Sequence, residues 1–499
     1  MSLMGVDVGT SGCKAVVFSE EGAQQAVATR TYAPIHPEPG RAEMDPEVLW
    51  RAFTGTVAEA ASRTSDDPVT AIAISTHGES FVLLDHRGAS VRPAVLNTDG
   101  RAVAEAKRWR EQRSEQVFRI TGHSVHPMYP VFKLQWLREH ERESFSAARR
   151  VAWVADYLLL RLGLPPLLDH SLASRTLLFD IQRKKWSEPL LDAAELDSDL
   201  LPSPVPAGTV AGALSPSGAD QLDLAPGTQI VVGAHDQTCG AVGMGAIAPG
   251  TVSDSLGSYE CILAVSDEPK LTDDALANGL DSYCHAVPDR YVTIAYFPAG
   301  LTVQWYVDAF CKSDIESARA ANTDVFGVLE SHVPAGPTGI SFLPHLIGSG
   351  TPHYDATARG LVHGLSPETD RFVLYKALLE GIGCELAIIS QILAKVIAPF
   401  DTIRVSGGGA RSALGLQLRA TMTGCRIQPV QTTEAVCLGA AMLAGVATRV
   451  YDDIVEAADV TVRLGDPVLP DPISRAEYTD QIARHGRAYA AASALRTGE

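Results

Sequence analysis

The sequence lacks the cysteine spacings that mark metal sites and redox pairs. It contains eight cysteines in 499 residues, and no two of them have the CxxC spacing of a zinc site or a redox dithiol. Scattered thiols in a long chain are typical of a reducing cytosol, so we predict a cytoplasmic protein. Residues 6–17 are interrupted by Asp7, Gly9 and Lys14, so they do not form the apolar part of a signal segment.

Long apolar runs and excess basic charge are also missing. No uninterrupted apolar run approaches the roughly 18–20 residues of a membrane span. The chain carries 59 Asp and Glu against 41 Lys and Arg, a formal net charge of -18. Because nucleic acids select basic surfaces, we predict neither a nucleic-acid nor a membrane partner. A phosphorylated ligand held by backbone amides is compatible with this charge.

The main functional signal is a strand, a turn and a small-residue helix over residues 230–243. Asp236 lies at the junction of strand and helix, just after an apolar run bounded by Gly233. A side chain at the carboxyl end of such a strand points into the crevice where α/β proteins bind ligands. We predict that Asp236 takes a proton from a substrate hydroxyl. The alternative is that Asp236 only caps the helix, since Asp is a favoured N-cap residue.

A turn rich in small residues opens the chain. Residues 4–18 form two strands around a tip at Gly9, Thr10 and Ser11. Such a tip offers backbone N–H groups and hydroxyls to an anion, and Asp7, just before it, suits a metal ion held through water. The alternative is an ordinary β-hairpin with no ligand.

The same pattern of two strands around a small polar turn recurs about half the chain length later. Residues 250–262 again form strand, small polar turn and strand, with Gly257 and Ser258 at the tip. A chain of this length exceeds one ordinary core. We therefore predict two domains built on one plan, each holding phosphates with its hairpin across a shared cleft.

Polar loops after two other strands suggest a site for hydroxyl-rich ligands. His77, Gly78 and Glu79 follow the buried strand at residues 71–75, and a Glu beside a His suits hydrogen bonding to polyhydroxy compounds. Asp99 and Arg101 follow the strand at residues 93–97, where Asp99 is equally placed to cap the next helix. A solvated loop is the alternative at both places.

The C-terminal half contains a glycine loop and several predicted helices. Gly408 and Gly409 lie between a strand and a helix, where a ring or a phosphate can approach the backbone closely. Residues 370–393 are apolar on most faces and predict a buried helix. Residues 434–445 predict a helix of small residues packed close to a neighbour. The polar tail beyond residue 467 is expected to be peripheral.

Taken together, these motifs resemble the FGGY family of carbohydrate kinases. The resemblance covers about residues 4–460 and depends on six motifs in family order rather than on any one of them. They are residues 6–11 (VDVGTS), 169–174 (DHSLAS), 233–237 (GAHDQ), 359–361 (RGL), 407–411 (GGGAR) and 438–441 (LGAA).

The resemblance implies an α/β fold with two actin-like (ribonuclease H-like) ATPase domains around a central cleft. We place them at residues 1–246, with the sugar site and first phosphate hairpin, and 247–499, with the nucleotide site. It implies ATP and Mg²⁺ as cofactors, Asp236 as catalytic base and Asp7 with Asp236 near the metal. The implied ATP-binding residues are Gly9, Thr10, Ser11, Lys14, Gly257, Ser258, Gly300, Gly408, Gly409 and Ala410. The implied substrate-binding residues are His77, Gly78, Glu79, Asp99, Arg101 and Asp236.

Departures from the family pattern concentrate on the substrate side. Glu79 is typical of glycerol kinases at a position where xylulokinases have His, and Asn97 stands where many members have Trp. We therefore predict phosphorylation of a pentulose such as D-xylulose by a homodimeric enzyme. The alternatives are a kinase of polyols such as glycerol or erythritol, a sugar-acid kinase, or a non-catalytic actin-like nucleotide switch.

Overall fold

The computed structural model describes residues 2–497 and shows two α/β domains facing each other across a cleft. The α/β two-domain prediction is confirmed. The predicted boundary between residues 246 and 247 stays a prediction.

The strands fall into two six-stranded sheets, one four-stranded sheet and three pairs. They are β1 (Ser2–Val8), β2 (Gly12–Phe18), β3 (Gln24–Thr31), β4 (Glu43–Met44), β5 (Val69–Thr76), β6 (Phe81–Leu84), β7 (Ala94–Val95), β8 (Arg150–Trp153), β9 (Leu167–Asp169), β10 (Phe179–Asp180), β11 (Lys185–Trp186), β12 (Ser203–Val205), β13 (Val210–Ala213), β14 (Gln229–His235), β15 (Val252–Leu256), β16 (Tyr259–Ser266), β17 (Asp281–Cys284), β18 (Tyr291–Pro298), β19 (Ser341–Leu343), β20 (Leu361–His363), β21 (Thr402–Ser406) and β22 (Arg426–Pro429).

The helices cover the sheets and fill the connections. They are α1 (Pro46–Ser62), α2 (Val103–Thr121), α3 (Pro130–His140), α4 (Arg142–Ala147), α5 (Val154–Arg161), α6 (His170–Ser174), α7 (Glu188–Ala194), α8 (Pro216–Leu222), α9 (Asp236–Gly243), α10 (Asp273–Ala277), α11 (Gly300–Phe310), α12 (Lys312–Ala320), α13 (Val325–Glu330), α14 (Arg371–Val396), α15 (Ala413–Thr423), α16 (Ala435–Ala447), α17 (Ile454–Thr461) and α18 (Pro472–Thr497), with 3₁₀ turns at Ser198–Leu200 and Gly408–Arg411.

The two large sheets repeat one topology. The first has the order β13-β14-β5-β1-β2-β3, in which β1 pairs antiparallel with β2 and parallel with β5. The second has the order β17-β18-β16-β15-β21-β22, in which β15 pairs antiparallel with β16 and parallel with β21. The predicted hairpins β1–β2 and β15–β16 therefore hold equivalent central places in the two sheets.

Helix α16 lies late in the sequence but packs on the first sheet. Ideal Cβ atoms at Gly5, Gly243 and Gly439 would lie 1.8, 1.9 and 1.9 Å from the carbonyl oxygens of Cys437, Ala435 and Cys239. Only glycine permits such an approach of β1, α9 and α16, because no side-chain atom fits between the backbones. The predicted close packing of this small-residue helix is thus observed.

The predictions for two regions of the second domain, α14 and the C-terminal tail, had different outcomes. Helix α14 begins after the N-cap Asp370 and is buried as predicted. Among the described residues it is the one helix long and apolar enough to cross a membrane, and 78% of its apolar window is buried inside the protein. The prediction of a peripheral tail is wrong: residues 472–497 form α18, whose Tyr478, Gln481 and His485 are buried and hydrogen-bond to carboxylates of α14.

Candidate active site

Asp236 is the first residue of α9, directly after the buried strand β14. The N-cap position belongs to His235, and the Asp236 carboxylate accepts a hydrogen bond from the N–H of Gln237 at 2.6 Å. Its side chain is 23% exposed, and its Oδ1 lies 3.2 Å from Nε2 of His235. The structure thus places Asp236 within the helix rather than at its cap.

Asp7 lies on β1, two strands from β14, near enough for its charge to act on Asp236. Its Oδ1 atom is buried and has no hydrogen-bond partner among residues 2–497. Burial raises the pKa of Asp7 to about 6, although Lys14 opposes the shift. Burial, together with the charges of Asp7 and Glu79, raises the pKa of Asp236 to about 8. A buried carboxylate whose ionised form is destabilised by a neighbouring carboxylate makes a site suited to a cation.

Hydrogen bonds hold the tip of the first hairpin in place, and Ser11 at the tip is exposed. The N–H of Gly9 donates to the carbonyl of Gly12 at 2.9 Å, and the hydroxyl of Tyr32 donates to the Gly9 carbonyl at 2.6 Å. Thr10 and Ser11 lie at the tip. Lys14 is further along β2, where its ammonium is bound by Glu434 of the second half of the chain at 2.7 Å.

A cavity of about 630 Å³ opens in the second domain beside its hairpin. The tip residues Gly257 and Ser258 line it, and the N-terminus of α11 packs against them: an ideal Cβ at Gly300 would lie 2.3 Å from the Gly257 carbonyl oxygen. Gly408 and Gly409 line the same cavity, and Ala410 belongs to the same 3₁₀ turn. The predicted nucleotide-side glycines of this half of the chain are thus brought together around one space.

The loop after β5 contains an ion pair that the sequence did not predict. Glu79 has a left-handed backbone, with φ of 63°, and its carboxylate accepts a hydrogen bond from Nε of Arg175. Both side chains are nearly buried, with exposures of 3% and 8%. Strained backbone at a non-glycine residue is frequent at ligand sites. The guanidinium also lies over the rings of Tyr129 and Tyr283, at 5.3 and 5.5 Å.

The neighbouring residues of that loop make mainly protein contacts. His77 is buried, with Nδ1 at 2.9 Å from the Val8 carbonyl and Nε2 at 2.8 Å from the Ser80 hydroxyl. An ideal Cβ at Gly78 would lie 3.3 Å from side-chain atoms of both Arg175 and His235, so Gly78 lets the loop pack closely there.

Asp99 and Arg101 bind each other in a network of charges. Asp99 accepts hydrogen bonds from Arg101 and from the N–H of Ala42, and Arg101 also reaches Glu43 and Glu141. Asp99 does not cap α2, whose N-cap is Ala102. Neither Asp99 nor Arg101 lines the cavity beside the second hairpin or the smaller cavity between the domains. Their role in substrate binding stays a prediction.

A second cavity, of about 360 Å³, lies between the domains on the side of Arg175. Asp281 of the second domain accepts hydrogen bonds there from the Ser124 N–H at 2.9 Å and the Tyr129 hydroxyl at 3.0 Å. Asp281 and Arg175 were missed by the sequence reasoning. Arg175 had a signal, since it directly follows the motif at residues 169–174, whereas Asp281 had none because only folding brings it to the first domain.

Comparison with known families accounts for most of the chain. The family model described as the N-terminal domain of the FGGY family of carbohydrate kinases matches residues 2–243. The model for the C-terminal domain of that family matches residues 253–448.

Similar proteins include several sugar kinases. The chain is 30% identical to xylulose kinase of Escherichia coli strain K12 over 493 residues, covering 97% of this chain and 98% of that protein. It is 27% identical to gluconokinase of Bacillus subtilis strain 168 over 465 residues, covering 92% and 90%. The crystal structure of xylulose kinase from Rhodospirillum rubrum superposes with a TM-score of 0.88 at 27% identity, covering 99% of both chains.

Proposed function

The chain belongs to the FGGY family of carbohydrate kinases, and from that premise we propose that it transfers the terminal phosphate of ATP to a primary hydroxyl of a pentulose such as D-xylulose. Family membership makes it a sugar kinase with ATP as phosphate donor, rather than a non-catalytic nucleotide switch. The acceptor, the residue roles, the homodimer and the cytoplasmic location are proposals.

The observation that carries the proposal is the position of Asp236 between two kinds of site. The charges of Asp7, Glu79 and Arg175 all act on Asp236. Asp7 precedes the first hairpin tip, whereas Arg175, paired with Glu79, lines the cavity between the domains. An acceptor hydroxyl next to Asp236 gives its proton to the carboxylate while its oxygen bonds to the terminal phosphorus. The bond from that phosphorus to the bridging oxygen of ADP breaks in the same transfer.

Asp7 and Asp236 fit a magnesium ion. The unpartnered, buried Oδ1 of Asp7 and the raised pKa values of both carboxylates leave oxygen donors for a hard cation. Bound Mg²⁺ supplies positive charge for the phosphate oxygens and favours the ionised form of the two carboxylates. Thr10, Ser11 and the turn at Gly257 and Ser258 would hold the phosphates.

A sugar acid is the second candidate acceptor. The terminal nitrogens of Arg175 have no hydrogen-bond partner within residues 2–497, and Arg175 lines the cavity between the domains. A guanidinium with two donating nitrogens suits a carboxylate as well as vicinal hydroxyls. The similarity to a protein named gluconokinase supports including this class.

An ADP-release assay on the full chain tests the proposal. We expect release that depends on one acceptor among D-xylulose, glycerol, erythritol and gluconate. D236N should lose about 10²–10⁴-fold in turnover while still binding ATP, and the matched control D220N, on an exposed residue of α8, should not. ADP release unaffected by every acceptor, or wild-type turnover in D236N, would contradict the proposal.

A further inference from the structure

The cavity of about 630 Å³ in the second domain, which we call the nucleotide-side cavity, has a carboxylate on the wall formed by α13 and the start of α15. Glu330, the last residue of α13, lines this cavity together with Ser412, the N-cap of α15. The Glu330 carboxylate accepts a hydrogen bond from the Ser412 hydroxyl at 2.6 Å and one from the Leu414 N–H at 3.4 Å. These contacts fix the orientation of the carboxylate.

This wall offers hydrogen-bond acceptors and no side-chain donor. The Ser412 hydroxyl gives its only hydrogen to Glu330, and its oxygen accepts from the Gly415 N–H at 2.8 Å. A carboxylate is a hydrogen-bond acceptor only. A ligand group meeting this wall must therefore donate.

The remaining walls suit a flat ring. Phe326, Tyr375, Leu379 and Ile382 line the cavity with apolar surface. Arg419 also lines it, but its guanidinium is bound by Glu260 and the Gly415 carbonyl. Arg411 lies at the exposed rim, where its guanidinium suits a phosphate.

We propose that Glu330 is a specificity-determining residue that selects adenine by accepting a hydrogen bond from its 6-amino group. This inference rests on the proposed function, because it requires the nucleotide to lie in this cavity with its phosphates at Gly257 and Ser258. A purine with a carbonyl at position 6 directs an oxygen acceptor at the carboxylate, which leaves both groups unpaired and repelling.

Inosine 5′-triphosphate tests the inference because it replaces the 6-amino group of ATP with a carbonyl. With the full chain and a saturating acceptor, we expect kcat/KM for ATP to exceed that for inosine triphosphate by at least about tenfold, the size of one hydrogen bond to a charged group. Equal use of the two donors by the wild-type enzyme would overturn the inference even if no variant folds.

E330Q separates selection from a structural role. Glutamine keeps an oxygen for Ser412 and adds an amide N–H that can donate to the 6-carbonyl. The ratio of kcat/KM for ATP to that for inosine triphosphate should therefore fall about tenfold. Loss of packing alone would lower kcat/KM for both nucleotides equally and leave this ratio unchanged. The control E316Q, on an exposed residue of α12, should keep the wild-type ratio. No activity with any donor would instead contradict the proposed kinase function.

Discussion

The Glu79 carboxylate accepts a hydrogen bond from Nε of Arg175, 96 positions later in the chain, inside the cleft between the domains. Both side chains are almost buried, and Arg175 lines the cavity between the domains. The negative charge of Glu79 therefore balances the buried positive charge of Arg175, while the guanidinium can still donate hydrogen bonds to a bound sugar. The same ion pair is thus expected to contribute both to substrate binding and to the stability of the first domain.

Removing one partner of this pair should affect both folding and acceptor binding. We expect R175M to lose about 3–5 kcal/mol of unfolding free energy, because Glu79 stays buried without its cation. The KM for the acceptor should rise about tenfold or more, with the KM for ATP unchanged. Urea unfolding and steady-state kinetics measure the two effects.

The double variant E79Q/R175M serves as the internal control. It should regain part of the lost stability, since no charge is left unpaired, but it should not regain acceptor affinity. R183M removes an arginine whose side chain is 73% exposed, and its stability should stay within about 0.5 kcal/mol of the wild type. Wild-type acceptor KM in R175M would exclude a binding role.

The contact between α11 and the phosphate turn should be intolerant of any side chain at Gly300. G300A puts a Cβ only 2.3 Å from the Gly257 carbonyl oxygen, so the turn must move. A displacement near 1 Å can cost about 10²-fold in rate, and we expect a loss of that size in kcat/KM for ATP. In G486A, on an exposed face of α18 with no atom within 4 Å of the new Cβ, stability should instead rise by about 0.5–1 kcal/mol. Normal kinetics in G300A would show that the turn does not hold phosphate.

Asp156 should make stability fall as the pH rises. Its Oδ1 accepts a hydrogen bond from the Trp153 N–H at 2.7 Å, and its Oδ2 is buried without a partner in residues 2–497. Burial raises its pKa well above the usual value, with Arg150 opposing. The folded state thus holds a proton that the unfolded chain releases near pH 4, so each pH unit above that, up to the folded pKa, costs about 1.4 kcal/mol.

D156N tests this dependence because the amide keeps the acceptor oxygen and cannot ionise. Its stability relative to the wild type should increase from pH 5 to pH 8, as measured by denaturant unfolding at several pH values. A difference that does not change with pH would show that Asp156 is ionised in the folded protein.

Docking of α18 should depend on a carboxylate shared by two histidines. Oε1 of Glu385 lies 2.8 Å from Nε2 of His345 and 2.7 Å from Nε2 of His485. H485A removes one donor from a buried acceptor, which should cost about 1–3 kcal/mol and increase hydrogen exchange along α18. H363A, on an exposed residue of β20, should leave exchange unchanged. Unaltered protection of α18 in H485A would contradict this account.

Local patterns were sufficient to predict the hairpins, the α9 junction and the buried α14. Each depends on residues adjacent in sequence: alternating apolar strands around small turns, or an apolar periodicity with an Asp cap. The tail was mispredicted because the acceptors of Tyr478, Gln481 and His485 lie on α14, roughly a hundred positions earlier. A polar sequence carries no sign that its partners are buried carboxylates.

The sequence by itself determined the family, the paired domain plan and the carboxylate at the start of α9, since turns, strand periods and motif order are local properties of the chain. Only the tertiary structure decided that Glu79 binds Arg175, that Asp99 and Arg101 bind each other, and that Glu330 faces the nucleotide-side cavity. Each of these charged groups finds its partner or its cavity only in the folded chain, because such contacts depend on distance in space rather than on a local sequence pattern.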